Sequence, residues 1–151
     1  MHLEHSLAIA APWEVVWAVT IDVERWPEWT PTMQRVERID SGPFRVGSQA
    51  RVKQPQFREA IWTVTALEAG RRFTWQTRIS GMDMTATHEV IPATSGCTSL
   101  LQLEISGWPA LVLGPLVRGG AQKAMATENA GLRDRCEKLA RPSPHKDPQN
   151  K

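Results

Sequence analysis

Apolar and polar positions change rhythm three times along the chain. Leu3, His5, Leu7 and Ile9 fall on alternate positions, the period of a half-buried strand. Ala10-Ala11-Pro12 breaks that run, and Pro12 suits the first turn of a helix in which Trp13, Val16 and Trp17 share one face. Asp22 is placed to cap a second short helix, Val23 to Trp26, which Pro27 and Pro31 bring to an end. From residue 33 to residue 107 the period becomes two, and six strands are predicted near 33–40, 46–54, 57–68, 71–79, 82–92 and 97–106. Ser41-Gly42-Pro43, Gly70, Ser80-Gly81 and Ser95-Gly96 separate them. Connections this short join antiparallel neighbours, because parallel strands need long crossovers.

Alternation assigns the faces. Trp62, Val64 and Ala66, then Phe73, Trp75, Thr77 and Ile79, then Leu101, Leu103 and Ile105 are expected inside. Thr63, Thr65, Arg72, Thr74, Gln76, Arg78, Gln102 and Glu104 are expected outside. After Gly107-Trp108-Pro109 the period lengthens to that of a helix. Leu116, Val117, Ala121, Ala124, Met125, Leu132, Cys136 and Leu139 form its stripe, although Gly119-Gly120 weakens its beginning. The apolar face of the sheet is the one surface large enough to receive this stripe. Residues 1–140 thus make one domain. Residues 141–151, with three prolines and no large apolar anchor, read as a disordered tail.

Composition narrows the class rather than the activity. The 151 residues are 41% hydrophobic and 23% charged, as in a globular domain of this size. Eighteen basic residues against sixteen acidic leave a net charge of +2 with no clustered basic face, so nucleic acid is not an expected partner. No apolar run is long enough to span a bilayer, and the N-terminus lacks the pattern of a signal peptide. Cys97 and Cys136 form no CxxC or metal spacing, so two reduced thiols and a cytoplasmic location are expected. Seven Trp and three Phe occur without a single Tyr, which removes the phenol from the available chemistry.

The order of elements, strand, two short helices, six strands and long helix, resembles the helix-grip fold of the START-like (SRPBCC) superfamily, in its polyketide cyclase/dehydratase-like branch. Ile9-Ala10-Ala11-Pro12-Trp13-Glu14-Val15-Val16-Trp17 carries the likeness, with Asp22-Val23-Glu24-Arg25-Trp26-Pro27-Glu28-Trp29, Gly96-Cys97-Thr98 and the helix from Glu128 to Leu139. The resemblance implies an α+β fold. A curved seven-stranded antiparallel sheet wraps a long C-terminal helix, with a cavity between them roofed by the two short helices. Aromatase/cyclase members commonly use a cavity Arg and a Tyr. This chain has no Tyr, and Arg51 sits between Ala50 and Val52, so its parity points it to water.

Candidate site residues follow from the inward positions. Trp29 falls at the expected cavity mouth, where it either gates a ligand or, with Trp26, plugs the core. Trp62 and Trp75 on adjacent strands offer a stacking wall, and Met84, Leu101 and Leu103 add apolar lining. His88 shares parity with Met82, Met84, Ala86 and Val90, which makes it the one ionisable group expected mid-cavity. It serves either as a general acid/base or as a core histidine bonded to a neighbour, though the sequence identifies no such neighbour. His5 also points inward, but two histidines without a third ligand do not make a metal site, and no cofactor is called for. Residues 110–117 read as a lid, an interface or the ordinary packed start of the last helix, the last being preferred. The expected function is binding of a small hydrophobic, lipid- or polyketide-like molecule without chemistry. The alternatives are a cyclase/dehydratase using His88 and a partner-binding domain acting through 110–117. The oligomeric state is left open.

Overall fold

The computed structural model describes residues 1–142. Its elements are β1 (His2–Ile9), α1 (Trp13–Ile21), a 3₁₀ helix (Val23–Glu28), β2 (Arg35–Arg38), β3 (Gln49–Lys53), β4 (Ala60–Glu68), β5 (Arg72–Ile79), β6 (Met82–Ala93), β7 (Gly96–Ser106) and α2 (Trp108–Ala140). The seven strands form one antiparallel sheet in the order β1-β7-β6-β5-β4-β3-β2. Strands β2 to β7 are a meander, and β1 pairs beside β7 at the far edge. The segment from β1 to β2 must therefore cross from one edge of the sheet to the other, and α1 and the 3₁₀ helix make that crossing. This is the α+β helix-grip architecture. The structure describes only Arg141 and Pro142 of the expected tail, and residues 143–151 lie outside the described residues.

Three local readings need correction. Ala66 was placed inside by alternation, but a bulge after Val64 breaks the period: Val64 pairs with Trp75, Ala66 with Thr74 and Leu67 with Phe73. One extra residue reverses the faces beyond it, so Leu67 turns inward and Ala66 is exposed. Asp22 precedes a 3₁₀ helix rather than an α-helix, and its side chain makes no capping hydrogen bond. On α2, Leu116 and Leu139 are exposed, whereas Ala110, Gly114, Met125, Glu128, Asn129, Leu132 and Cys136 are buried.

Helix α2 lies on β1 and β7 and against α1. Its entry requires glycine at 107, where φ is +107° and an added Cβ would come 2.5 Å from the Gly81 carbonyl oxygen of the β5–β6 turn. Three apolar clusters result. The largest joins the inner face of β2–β7 to Val23 and Trp26 of the 3₁₀ helix and includes Trp62, Phe73, Trp75 and Met84. A second packs Ile9, Val16, Val90 and Cys97 against Leu132 and Cys136 of α2. A third sets Leu3 and Leu101 under Met125. Arg51 points outward, where it pairs with Glu59 and Glu37.

Candidate functional site

Strand pairing brings the site together. His88 on β6 lies opposite Phe73 on β5 and Leu101 on β7. Its ring stacks on Phe73 at 4.8 Å between centroids and 10° between planes. Trp26 lies 4.9 Å away and Trp75 6.0 Å away, nearly perpendicular. The imidazole is 6% exposed, and one charged side chain reaches it. Glu128 of α2, itself 9% exposed, places Oε1 3.0 Å from His88 Nε2. A carboxylate can only accept, so Nε2 is the donor in this contact. Among the described residues Nδ1 has no partner.

A second ring nitrogen nearby is in the same condition. The Trp29 indole, 5.9 Å from Trp26, buries its Nε1 without a partner among the described residues. Trp26 differs, since its Nε1 donates to the Thr20 carbonyl at 3.1 Å. The four indoles form a chain, with Trp62 to Trp75 at 5.3 Å, Trp75 to Trp26 at 5.3 Å and Trp26 to Trp29 at 5.9 Å. Gly131 of α2 fixes the end of that chain. A Cβ there would lie 2.1 Å from the Trp29 carbonyl oxygen and 3.3 Å from its ring, so only glycine lets the helix pass this close.

Next to Glu128, Asn129 is fully buried and ties α2 to two strands. Its Oδ1 accepts from Ser99 Oγ at 2.8 Å, and its Nδ2 donates to His5 Nδ1 at 2.9 Å and to the His5 carbonyl at 3.1 Å. His5 therefore belongs to a polar clamp on β1. Among the described residues no three His, Cys, Asp or Glu side chains converge on a point that would hold a metal.

The expected site residues are thus placed as follows. Trp62, Trp75 and Met84 are buried in the largest cluster, Trp29 is half-buried against it, and His88 is stacked within its aromatic wall. Leu103 is half-buried between two clusters, and Leu101 turns to Leu3 and Met125 under α2. Two recesses lie elsewhere than the expected hollow. Those two, about 210 and 370 Å³, lie on the outer face of the sheet around Thr63, Gln76, Asp83, Thr85 and Glu104. Inside, the tryptophans close on one another. Sequence reasoning also missed Glu128, Trp26 and Phe73 as neighbours of His88, and Asn129 as the partner of Ser99 and His5. The signal for Glu128 and Asn129 was two polar residues set between Met125 and Leu132 on an otherwise apolar stripe.

The thiols face the second cluster. Burial pushes the Cys136 thiol up to about 12 and raises that of Cys97, so neither is poised as a nucleophile. Residues 110–117 are not the ordinary packed start preferred from the sequence: the turn is helical, yet Leu111 is 85% exposed and Leu116 82%. No helix among the described residues is long and apolar enough to cross a membrane.

Solved structures with this architecture include the aromatase/cyclase Zhui from Streptomyces sp. R1128, with a TM-score of 0.76 and 18% identity over 93% of this chain and 96% of that one. A START superfamily protein from Mycobacterium smegmatis gives 0.71 at 19% identity, covering 91% of this chain and 98% of its own. Norcoclaurine synthase from Thalictrum flavum gives 0.67 at 19%, covering 89% and 95%. At these identities the likeness is one of fold. No curated protein sequence matches the chain. The model of the family described as polyketide cyclase/dehydrase and lipid transport matches residues 1–137, and the chain belongs to that START-like family.

Proposed function

We propose that the chain binds a small, mostly apolar molecule that carries one polar group, received between the inner face of the sheet and α2. The observation that carries this reading is a pair of buried ring nitrogens near Trp26 with no partner among the described residues, His88 Nδ1 and the indole donor Trp29 Nε1. A buried polar atom left unpaired costs about 1–3 kcal/mol, and native interiors hold few of them. A guest hydroxyl beside either ring satisfies it, since a hydroxyl accepts from an indole N–H and can donate to or accept from an imidazole nitrogen. Trp62, Trp75, Met84, Leu101 and Leu103 supply apolar surface, each Å² withdrawn from water contributing about 25 cal/mol before ordering costs. Lipid- and polyketide-like molecules fit this description, and the family description supports both. The two buried thiols suit a cytoplasmic carrier.

A second reading is favoured by one specific contact. The Glu128 carboxylate on His88 Nε2 orients the ring, as the partner of a general base acting through Nδ1 would. In that reading His88 moves a proton on a bound polyketide-like chain, as a cyclase or dehydratase would. No cofactor is needed for either role.

Native mass spectrometry of the purified full chain tests both. A carrier retains an apolar adduct that is lost on denaturation, and His88→Ala keeps most of that occupancy. If the second reading holds, His88→Ala abolishes turnover of the identified molecule while binding survives. A chain that stays bare in every preparation, including after incubation with fatty acids and with fused-ring phenols, contradicts both.

A further inference from the structure

The first three turns of α2 carry an apolar face on the outside of the molecule. Trp108, Leu111, Val112 and Leu116 stand at i, i+3, i+4 and i+8, so they share one side of the helix. They are 75%, 85%, 72% and 82% exposed. The opposite side of the same turns packs inward through Ala110, Gly114 and Val117. Singly exposed leucines are ordinary, whereas a contiguous apolar face with a tryptophan at its end is not.

Charge identifies what this face meets. From Ser106 through Thr127 there is no acidic residue, and the two charged side chains are Arg118 and Lys123. Helical spacing puts Arg118 seven residues after Leu111 and Lys123 seven after Leu116, on the exposed side next to the apolar patch. On the adjoining β5–β6 hairpin the carboxylate of Asp83 is paired with Arg78. Apolar side chains ending in an indole, followed by cations and free of unpaired carboxylates, match the headgroup layer of an anionic bilayer.

We propose that residues 108–123 dock the protein on the surface of an anionic lipid membrane, with Trp108, Leu111, Val112 and Leu116 in the acyl boundary and Arg118 and Lys123 on the headgroups. This stands apart from the ligand reading, because docking needs no guest in the interior.

Flotation of the full chain with vesicles tests it, using phosphatidylcholine alone and phosphatidylcholine mixed with phosphatidylglycerol. The wild type floats with the anionic vesicles and weakens as salt is raised. Leu111→Ser with Leu116→Ser lowers the vesicle affinity by about tenfold or more for each leucine lost. Arg118→Gln and Lys123→Gln lower it by about fivefold each. The replaced side chains are exposed, so unchanged circular dichroism checks that all variants fold. Equal flotation with both vesicle types, or none with either, overturns the proposal. So does a wild type that sediments as a dimer and becomes monomeric in the double serine variant, which would make the face a contact between copies.

Discussion

The two halves of α2 belong to one helix and do opposite things. From Met125 to Cys136 it buries Met125, Leu132 and Cys136 and brings Glu128 and Asn129 to the sheet, where each finds a partner. From Trp108 to Gly120 it turns small residues inward and large apolar ones outward. The first half of this contrast follows from what lies beneath. β1, β7 and α1 offer the C-terminal half a continuous surface, and Gly131 lets it come within contact of the Trp29 backbone. Over the N-terminal half only Ala110 and Val117 join the inner cluster, with Gly114 buried between them, and the leucines stand outside it. One stretch of helix thereby holds the fold, and the other is free to face something outside it.

The sharpest way to break the contrast is to remove one leucine from each half. Leu132→Ala should cost about 2–5 kcal/mol in urea unfolding, as for other buried leucines. Leu111→Ala should stay within about 0.5 kcal/mol, because its side chain is already in water. Equal losses would mean that the two halves are packed alike.

Glycines sharpen it through the sign of the effect. Gly131→Ala drives a Cβ into the Trp29 carbonyl and should cost about 1–3 kcal/mol while shifting the Trp29 environment. Gly119→Ala meets nothing within 4 Å and should stabilise the helix by about 0.5–1 kcal/mol. Thermal melts of the two variants moving in the same direction would contradict this.

Breaking the buried contact at Glu128 is a comparable test. Glu128→Ala leaves His88 Nε2 without its acceptor, a loss of about 1.5–3 kcal/mol, and Glu128→Gln should recover part of it. Measured by chemical denaturation, an unchanged Glu128→Ala would show that the pair carries no stability.

The last effect is one of pH, and it is silent at neutrality. The Cys136 thiol has its pKa raised in the folded chain to about 12, so the stability linked to it is fully present below the unfolded value near 9 and is lost as pH rises from about 9 towards about 12. Subtracting Cys136→Ala unfolding curves from those of the wild type should isolate that alkaline loss. At neutral pH Cys136 should also resist thiol reagents that label Leu116→Cys at once.

Much of the fold was legible because two periods dominate it. Alternation fixed Phe73, Trp75, Met84 and His88 on the inner face, and glycine turns separated the strands. Alternation failed after Val64, because a bulge leaves no mark in composition and yet moves Ala66 out and Leu67 in. On α2 the apolar stripe was traced through Leu116 and Leu139, since periodicity says which residues share a side but not whether anything lies opposite. The candidate site was half legible. His88, Trp62 and Trp75 came from parity and Trp29 from the resemblance, but the partner on Nε2 came from a helix forty residues later, and only the packing of α2 on the sheet brings it there. Trp29 was the gate candidate and Trp26 entered only as a plug of the core, whereas the structure separates them by hydrogen bonding: Trp26 reaches a carbonyl and Trp29 Nε1 has no partner among the described residues.

The central claim is that His88 Nδ1 and Trp29 Nε1 receive the polar group of a guest. Nitrogen NMR of the full chain during titration with 2-naphthol, a flat apolar molecule with one hydroxyl, tests it most directly. The His88 imidazole and Trp29 indole signals should move together and saturate, while exposed His2 stays in place. Saturable shifts confined to the outer face of the sheet, or no saturable shift at either ring, would contradict the account.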